Sequence, residues 1–211
     1  MAGGGRMKRL FDLFVSATAL VILSPLFIMV SVAIALDSPG SVFYCGVRTG
    51  RWGIPFRMFK FRTMVVNVLK AQEGTTGLGD PRITRVGRII RKTKIDELPQ
   101  LINVVLGQMS LVGPRPELPR YTDQFTKEER AILSVRPGIT DLSSIKFSSL
   151  DEVVGAEDVE KRFEENVLPV KNRLRLKYVR ERNFFYDLKI IVATVVVLFQ
   201  KATRRNSSRT G

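Results

Sequence analysis

The chain has 211 residues, 45% of them hydrophobic, which is enough for one domain with a real core and too apolar for a disordered chain. Lys and Arg number 34 against 20 Asp and Glu, a formal net charge of +14, so suitable partners are polyanions: nucleic acid, anionic lipid or nucleotide substrates. With no histidine, Ser-His and Cys-His nucleophile pairs and imidazole-bound zinc or iron are excluded, and the lone Cys45 excludes an intramolecular disulfide framework.

From Leu10 to Leu36 the chain reads LFDLFVSATALVILSPLFIMVSVAIAL, with Asp12 its sole charge. That length suffices for a hydrocarbon core about 30 Å thick. It is too long for a cleaved signal peptide and lacks a small-residue cleavage site. Ser24-Pro25 sits mid-segment, where proline removes a backbone donor and bends a helix. Arg6, Lys8 and Arg9 precede the segment, and Arg48, Arg51, Arg57, Lys60, Arg62 and Lys70 follow it against Asp37 alone. Both flanks read as cytoplasmic, which favours a helix that enters, breaks at Ser24-Pro25 and leaves by the same face over a kinked spanning helix.

In FKFRTM the alternation puts Phe59 and Phe61 on one strand face and Lys60 and Arg62 on the other. Paired aromatics are core in the ordinary case and base-stacking platforms in single-strand binders, so Lys60 and Arg62 are the better functional candidates. GTTGLGDPR, residues 74–82, has Asp80-Pro81 where a phosphate loop has Lys-Ser or Lys-Thr, and reads as a plain loop. Arg82, Arg85, Arg88 and Arg91 then recur every third residue among Ile83, Val86, Ile89 and Ile90, predicting a helix with a basic stripe, either solvated or contacting phosphates. IDELPQLINVVLG places Leu98, Leu101, Ile102, Val105 and Leu106 at helical spacing and predicts a helix that starts near Asp96 and stops at Gly107. Near the C-terminus KNRLRLKYVRER packs six cations into residues 171–182 ahead of FFYDLKIIVATVVVLFQ. That region reads as interfacial docking, with an ordinary core helix or strand as the alternative.

Chemistry has few places to sit. Asp96 and Glu97 at a helix start are explained by capping alone, yet the arginine stripe lies upstream and the rigid Gly113-Pro114-Arg115-Pro116 turn follows, suited to fixing a guanidinium beside a phosphate. Carboxylates amid fixed arginines suggest phosphoryl chemistry and a hard-oxygen site for Mg2+ at Asp96 and Glu97. Arg136-Pro137-Gly138-Ile139-Thr140 joins a proline turn to a glycine and a hydroxyl, a weak nucleotide signal by itself.

The break SP, then FKFRTM, KIDELPQLINVVLGQMSLVGPRPE and RPGIT, in that order over roughly Lys8 to Phe199, resemble the small monotopic phosphoglycosyl transferases of bacteria. The resemblance implies a fold of class α/β, mainly α: a re-entrant helix-break-helix over residues 1–36, a catalytic domain with interfacial helices and a small β element over 37–200, and a polar basic tail over 201–211. It implies attachment to the cytoplasmic face of the inner membrane, Mg2+ as cofactor, a UDP-sugar donor, undecaprenyl phosphate as acceptor, a lipid bilayer but no nucleic acid as partner, and compatibility with a homodimer. Asp96 would be the nucleophile, releasing UMP and leaving an aspartyl phosphosugar. Glu97 would position Mg2+ or take a proton, while Lys60, Arg62, Arg91 and Arg115 would hold phosphates. Arg136, Pro137, Gly138 and Thr140 would belong to the uridine pocket. Where relatives follow RPGIT with Gly-Trp-Ala-Gln, this chain has Asp141-Leu142-Ser143-Ser144-Ile145.

Overall fold

The computed structural model describes residues 3–66, 76, 79–148, 150–155 and 157–207. Helix α1 (Gly3–Ile22) and helix α2 (Ser24–Asp37) meet at Leu23 with a 60° bend. The Ser24 hydroxyl donates to the Val21 carbonyl at 2.8 Å, taking up an acceptor left over where Pro25 supplies no N–H. No single helix among the described residues is long and apolar enough to cross a membrane; the bent pair together is. Its outer side is bare, with Phe14, Val21 and Leu36 each at least 72% exposed.

The inner side of α1 carries the polar residues that dock it. Lys8 Nζ donates to Asp187 at 2.6 Å and to the Val112 carbonyl, Arg9 donates to the carbonyls of Val104 and Val105, and buried Asp12 accepts from the Ser110 hydroxyl at 2.7 Å. Two of the cations read from sequence as flanking charge are therefore internal fasteners.

Strands β1 (Phe43–Thr49) and β2 (Pro55–Phe61) form an antiparallel hairpin in the register Cys45↔Phe59. The strand ends one residue short of Arg62, and Phe59 and Phe61 lie two apart within it. Phe61 is buried between Phe27 and Phe43, whereas Phe59 is half-buried. Helix α3 (Arg85–Lys92) carries the basic stripe; Thr84 accepts from Gly87 N, Asp37 accepts from Val86 N, and Gly87 comes so close to Thr63 that a Cβ would lie 2.2 Å from its carbonyl oxygen. Arg85 and Arg88 are exposed, while Arg82 chelates Asp80 at the loop's end. Of the 74–82 loop, residues 74, 75, 77 and 78 lie outside the described residues.

Helix α4 (Gln100–Val105) leads to β3 (Ser110–Val112), which pairs in parallel with β4 (Gly138–Thr140). Helix α5 (Leu142–Lys146) follows β4, then α6 (Leu168–Glu181) and α7 (Phe184–Ser207). Within the cationic stretch, Lys171 and Arg175 face inward rather than toward an interface, because α6 buries them against Glu117. Helix α7 buries Asp187 and Ile190, leaves Phe185 and Phe199 exposed, and continues past the expected tail boundary at residue 200.

Candidate active site

Asp96 and Glu97 do not begin a long helix. Ile95–Glu97 is a 3-10 turn entered through Lys94 at φ +60°, and i to i+3 bonds continue to Ile102 because Pro99 has no N–H to donate. Helix α4 therefore starts at Gln100, and neither carboxylate caps it. Capping, the plain explanation for this pair, is removed.

Three residues per 3-10 turn set neighbouring side chains about 120° apart, so consecutive carboxylates meet different surroundings. Glu97 Oε1 accepts from Lys60 Nζ at 3.2 Å and from Arg115 Nη2, while Arg115 Nη1 donates to the Ile139 carbonyl at 3.2 Å. Asp96 is buried, and its Oδ1 has no hydrogen-bond partner. An unpaired buried acceptor costs about 1–3 kcal/mol, so its presence beside three cations is unusual unless a ligand completes it.

The electrostatics divide the pair further. Burial, reinforced by the Glu97 charge, pushes the Asp96 carboxyl above the usual Asp range despite Lys60, Lys94 and Arg91. Burial would also raise Glu97, but Arg115, Lys60 and Lys94 together hold it well below its usual value. Lys60 is lowered by burial against the pull of Glu97. Burial likewise works against the Arg115 charge, and Glu97 more than offsets it. Arg91, which donates to the Thr63 hydroxyl at 3.4 Å, completes the basic rim together with Lys94.

Lys60, Arg91, Asp96, Glu97 and Arg115 thus come together as the sequence led one to expect. Arg62 does not join them. It is 2% exposed, and its guanidinium donates to the carbonyls of Pro39 and Ser38 and to the Ser38 hydroxyl beyond the end of α2, as cations favour helix C-termini. The segment from Arg136 to Thr140 lies beside Arg115, whose Nη1 meets the Ile139 carbonyl, and is bonded within the fold. Arg136 Nε donates to the Gly107 carbonyl, Pro137 accepts from Ser110 N, Gly138 N donates to the Pro114 carbonyl, and the Thr140 hydroxyl bonds Thr194. A Cβ on Gly138 would lie 2.1 Å from Gly113 N, so this glycine serves the close approach of two backbones.

Two residues at the site were given no role by the sequence reading. Lys94 carries the signal of a non-glycine residue at positive φ, visible only in coordinates. Asp141 accepts the Arg115 backbone N–H at 3.1 Å.

A family model described as bacterial sugar transferase matches residues 4–201. The chain belongs to the bacterial sugar transferase family. Among similar members is an undecaprenyl-phosphate glucose phosphotransferase of Komagataeibacter xylinus, 40% identical over 195 residues that make up 89% of this chain and 35% of the relative. A UDP-N-acetylgalactosamine-undecaprenyl-phosphate N-acetylgalactosaminephosphotransferase of Aeromonas hydrophila is 38% identical over 169 residues, 79% of this chain and 39% of the relative. The exopolysaccharide production protein PSS of Rhizobium leguminosarum bv. phaseoli is 36% identical over 201 residues, 90% of this chain and 94% of the relative. This family member thus spans between a third and two fifths of the first two relatives and nearly all of the third.

Proposed function

We propose that the protein transfers a sugar-1-phosphate from a UDP-sugar to undecaprenyl phosphate at the cytoplasmic face of the bacterial inner membrane, as the first membrane-committed step of glycoconjugate assembly. The observation that carries this reading is the division of labour between adjacent carboxylates: Asp96, buried with an unpartnered oxygen, beside Glu97, clamped by Lys60 and Arg115. The names of the relatives supply the substrate classes, a UDP-sugar and undecaprenyl phosphate.

In the proposed reaction an Asp96 carboxylate oxygen attacks the sugar-bearing β-phosphorus. The bond from that phosphorus to the bridging oxygen breaks, and UMP leaves with the electron pair. The aspartyl phosphosugar is then attacked at phosphorus by an undecaprenyl phosphate oxygen, the P–O bond to Asp96 breaks, and the carboxylate is regenerated. Arg115, Lys60 and Arg91 neutralise charge on the transferring group. Glu97, its charge committed to Lys60 and Arg115, acts here by holding those cations in place, since its low proton affinity makes it a poor base near neutral pH.

A divalent cation suits the donor set. Mg2+ takes one or two protein carboxylates with phosphate oxygens and water, and the buried, unpartnered Asp96 Oδ1 is such a donor, with Glu97 its neighbour. Bound there, Mg2+ would supply charge neutralisation for a diphosphate. The bent α1–α2 pair, bare on its apolar outer side, would seat in the cytoplasmic leaflet and return at Ser24-Pro25, placing Asp96 at the interface. A donor panel decides the reaction: purified protein with Mg2+, undecaprenyl phosphate and UDP-glucose or UDP-N-acetylgalactosamine should release UMP. Without acceptor, mass spectrometry should find a phosphosugar on the Asp96 peptide; an unmodified peptide after donor turnover would rule out the covalent step.

A further inference from the structure

Behind Arg115 lies a second polar layer. Asp141 is 1% exposed and its two oxygens have separate tasks. Oδ1 accepts Ser144 N at 2.6 Å, capping α5. Oδ2 accepts the backbone N–H of Arg115 at 3.1 Å and lies 3.7 Å from Arg175 Nε. The Ser143 hydroxyl reaches both oxygens, at 2.9 and 2.8 Å. Capping alone would need one oxygen and would not require a carboxylate in the core. Arg175, also 1% exposed, in turn donates to Glu117 at 2.6 Å, two residues beyond Arg115, so the Arg115-Pro116-Glu117 step is held by Asp141 at one end and by α6 at the other. The buried cations Lys171 and Arg175 are balanced by Glu117 and Asp141; without Asp141 they would have Glu117 alone.

The proximal side of the same residue meets the chemistry, because the Arg115 guanidinium spans from Ile139 O to Glu97. A guanidinium on a long stem is aimed by its backbone only if that backbone is fixed. Prolines at 114 and 116 restrict rotation on each side but supply no donors, so the Arg115 peptide is held by Gly138 N on the Pro114 carbonyl and by its own N–H on Asp141.

We propose that Asp141 is a positioning residue for the phosphate clamp: its Oδ2 fixes the Arg115 backbone so that the guanidinium reaches Glu97 and the transferring phosphoryl group. It acts through Arg115 and touches no substrate, and it rests on the reaction proposed above. The misplacement expected on its loss is small in distance and large in rate, since an error of about 1 Å in a clamp can cost about 100-fold.

Two substitutions separate capping from positioning. Asp141→Ser keeps a side-chain oxygen for Ser144 N, and serine is a good helix N-cap, but it lacks the second oxygen that holds Arg115. Asp141→Asn keeps the shape and removes the charge. Each would be measured alone and combined with Arg115→Ala, by thermal unfolding, by kcat and KM for UMP release, and by calorimetric UDP affinity. Asp141→Ser should fold and lower kcat about 10–100-fold with a smaller change in KM, and in the Arg115→Ala background it should cost nothing further. Retained kcat, or a loss that adds fully to that of Arg115→Ala, overturns the assignment. Wild-type protein that releases no UMP from any donor refutes the reaction instead; the cycle is then read in UDP affinity, where additive losses or no UDP binding overturn the positioning role.

Discussion

Replacing Asp96 by Asn should abolish activity and stabilise the fold at the same time. The Asp96 carboxyl is buried and its Oδ1 unpartnered, and burial together with the Glu97 charge raises its proton affinity above that of an ordinary Asp. Each tenfold rise in proton affinity corresponds to about 1.4 kcal/mol by which the ionised side chain disfavours the folded state at neutral pH. Asparagine keeps the shape without the charge, so a gain in stability is expected, read as a rise in Tm. The sign follows from linkage. With the folded-state pKa raised, the stability belonging to the protonated carboxyl is fully present below the ordinary Asp range and is lost as pH rises through the raised value. The advantage of Asp96→Asn in thermal unfolding should therefore be greatest near neutral pH and vanish toward pH 4. UMP release should fall by at least about 1,000-fold, as for other nucleophile removals. A variant with wild-type turnover refutes the nucleophile, and one less stable than wild type at pH 7 refutes the electrostatic argument.

Arg62→Met should cost about 2–4 kcal/mol in denaturant unfolding, because the carbonyls of Ser38 and Pro39 lose their buried donor, while kcat per folded molecule stays near wild type. Lost turnover at unchanged stability would return Arg62 to the phosphate site. Gly138→Ala should destabilise by about 3 kcal/mol and depress UMP release, since its Cβ would meet Gly113 N at 2.1 Å and displace the turn carrying Arg115; wild-type unfolding would refute the close packing. Pro25→Leu should relax the 60° bend, and reagents applied to sealed vesicles should then label the two chain ends from opposite sides. Opposite-side labelling in the unmutated protein would refute re-entry.

Local signals were legible. Proline at 25 foretold the break, the threefold arginine spacing foretold the α3 stripe, and the carboxylate pair and the proline-framed arginine, singled out together, meet through Glu97 and Arg115. Long-range pairings were not, because a charge shows no partner until the chain folds. Lys8 and Asp187 meet across 179 positions, and Arg175 reaches Glu117 across 58, so their cations read as surface charge. Arg62 misled for a related reason: strand alternation was extended one residue past the strand, to a side chain that instead satisfies carbonyls beyond α2. The segment from Arg136 to Thr140 looked like a cradle of free donors, yet Arg136 Nε, Gly138 N and the Thr140 hydroxyl are spent on Gly107, Pro114 and Thr194.

The adjacency of Asp96 and Glu97 is what makes one of them reactive. Side by side on a regular helix start, both would face helix N–H groups and share similar potentials. The positive φ at Lys94 and the missing N–H at Pro99 hold a 3-10 turn instead, which aims Glu97 at Lys60 and Arg115 and leaves Asp96 buried without a partner. Glu97 then affects Asp96 twice. Its charge raises the proton affinity of Asp96, strengthening it as a nucleophile once ionised, and its grip keeps Lys60 and Arg115 beside the phosphoryl group. Glu97→Gln should weaken both effects together, lowering the Asp96 pKa and kcat in one substitution. A pH–rate profile whose acidic limb stays in place as kcat falls would separate the two effects and leave the clamp alone responsible.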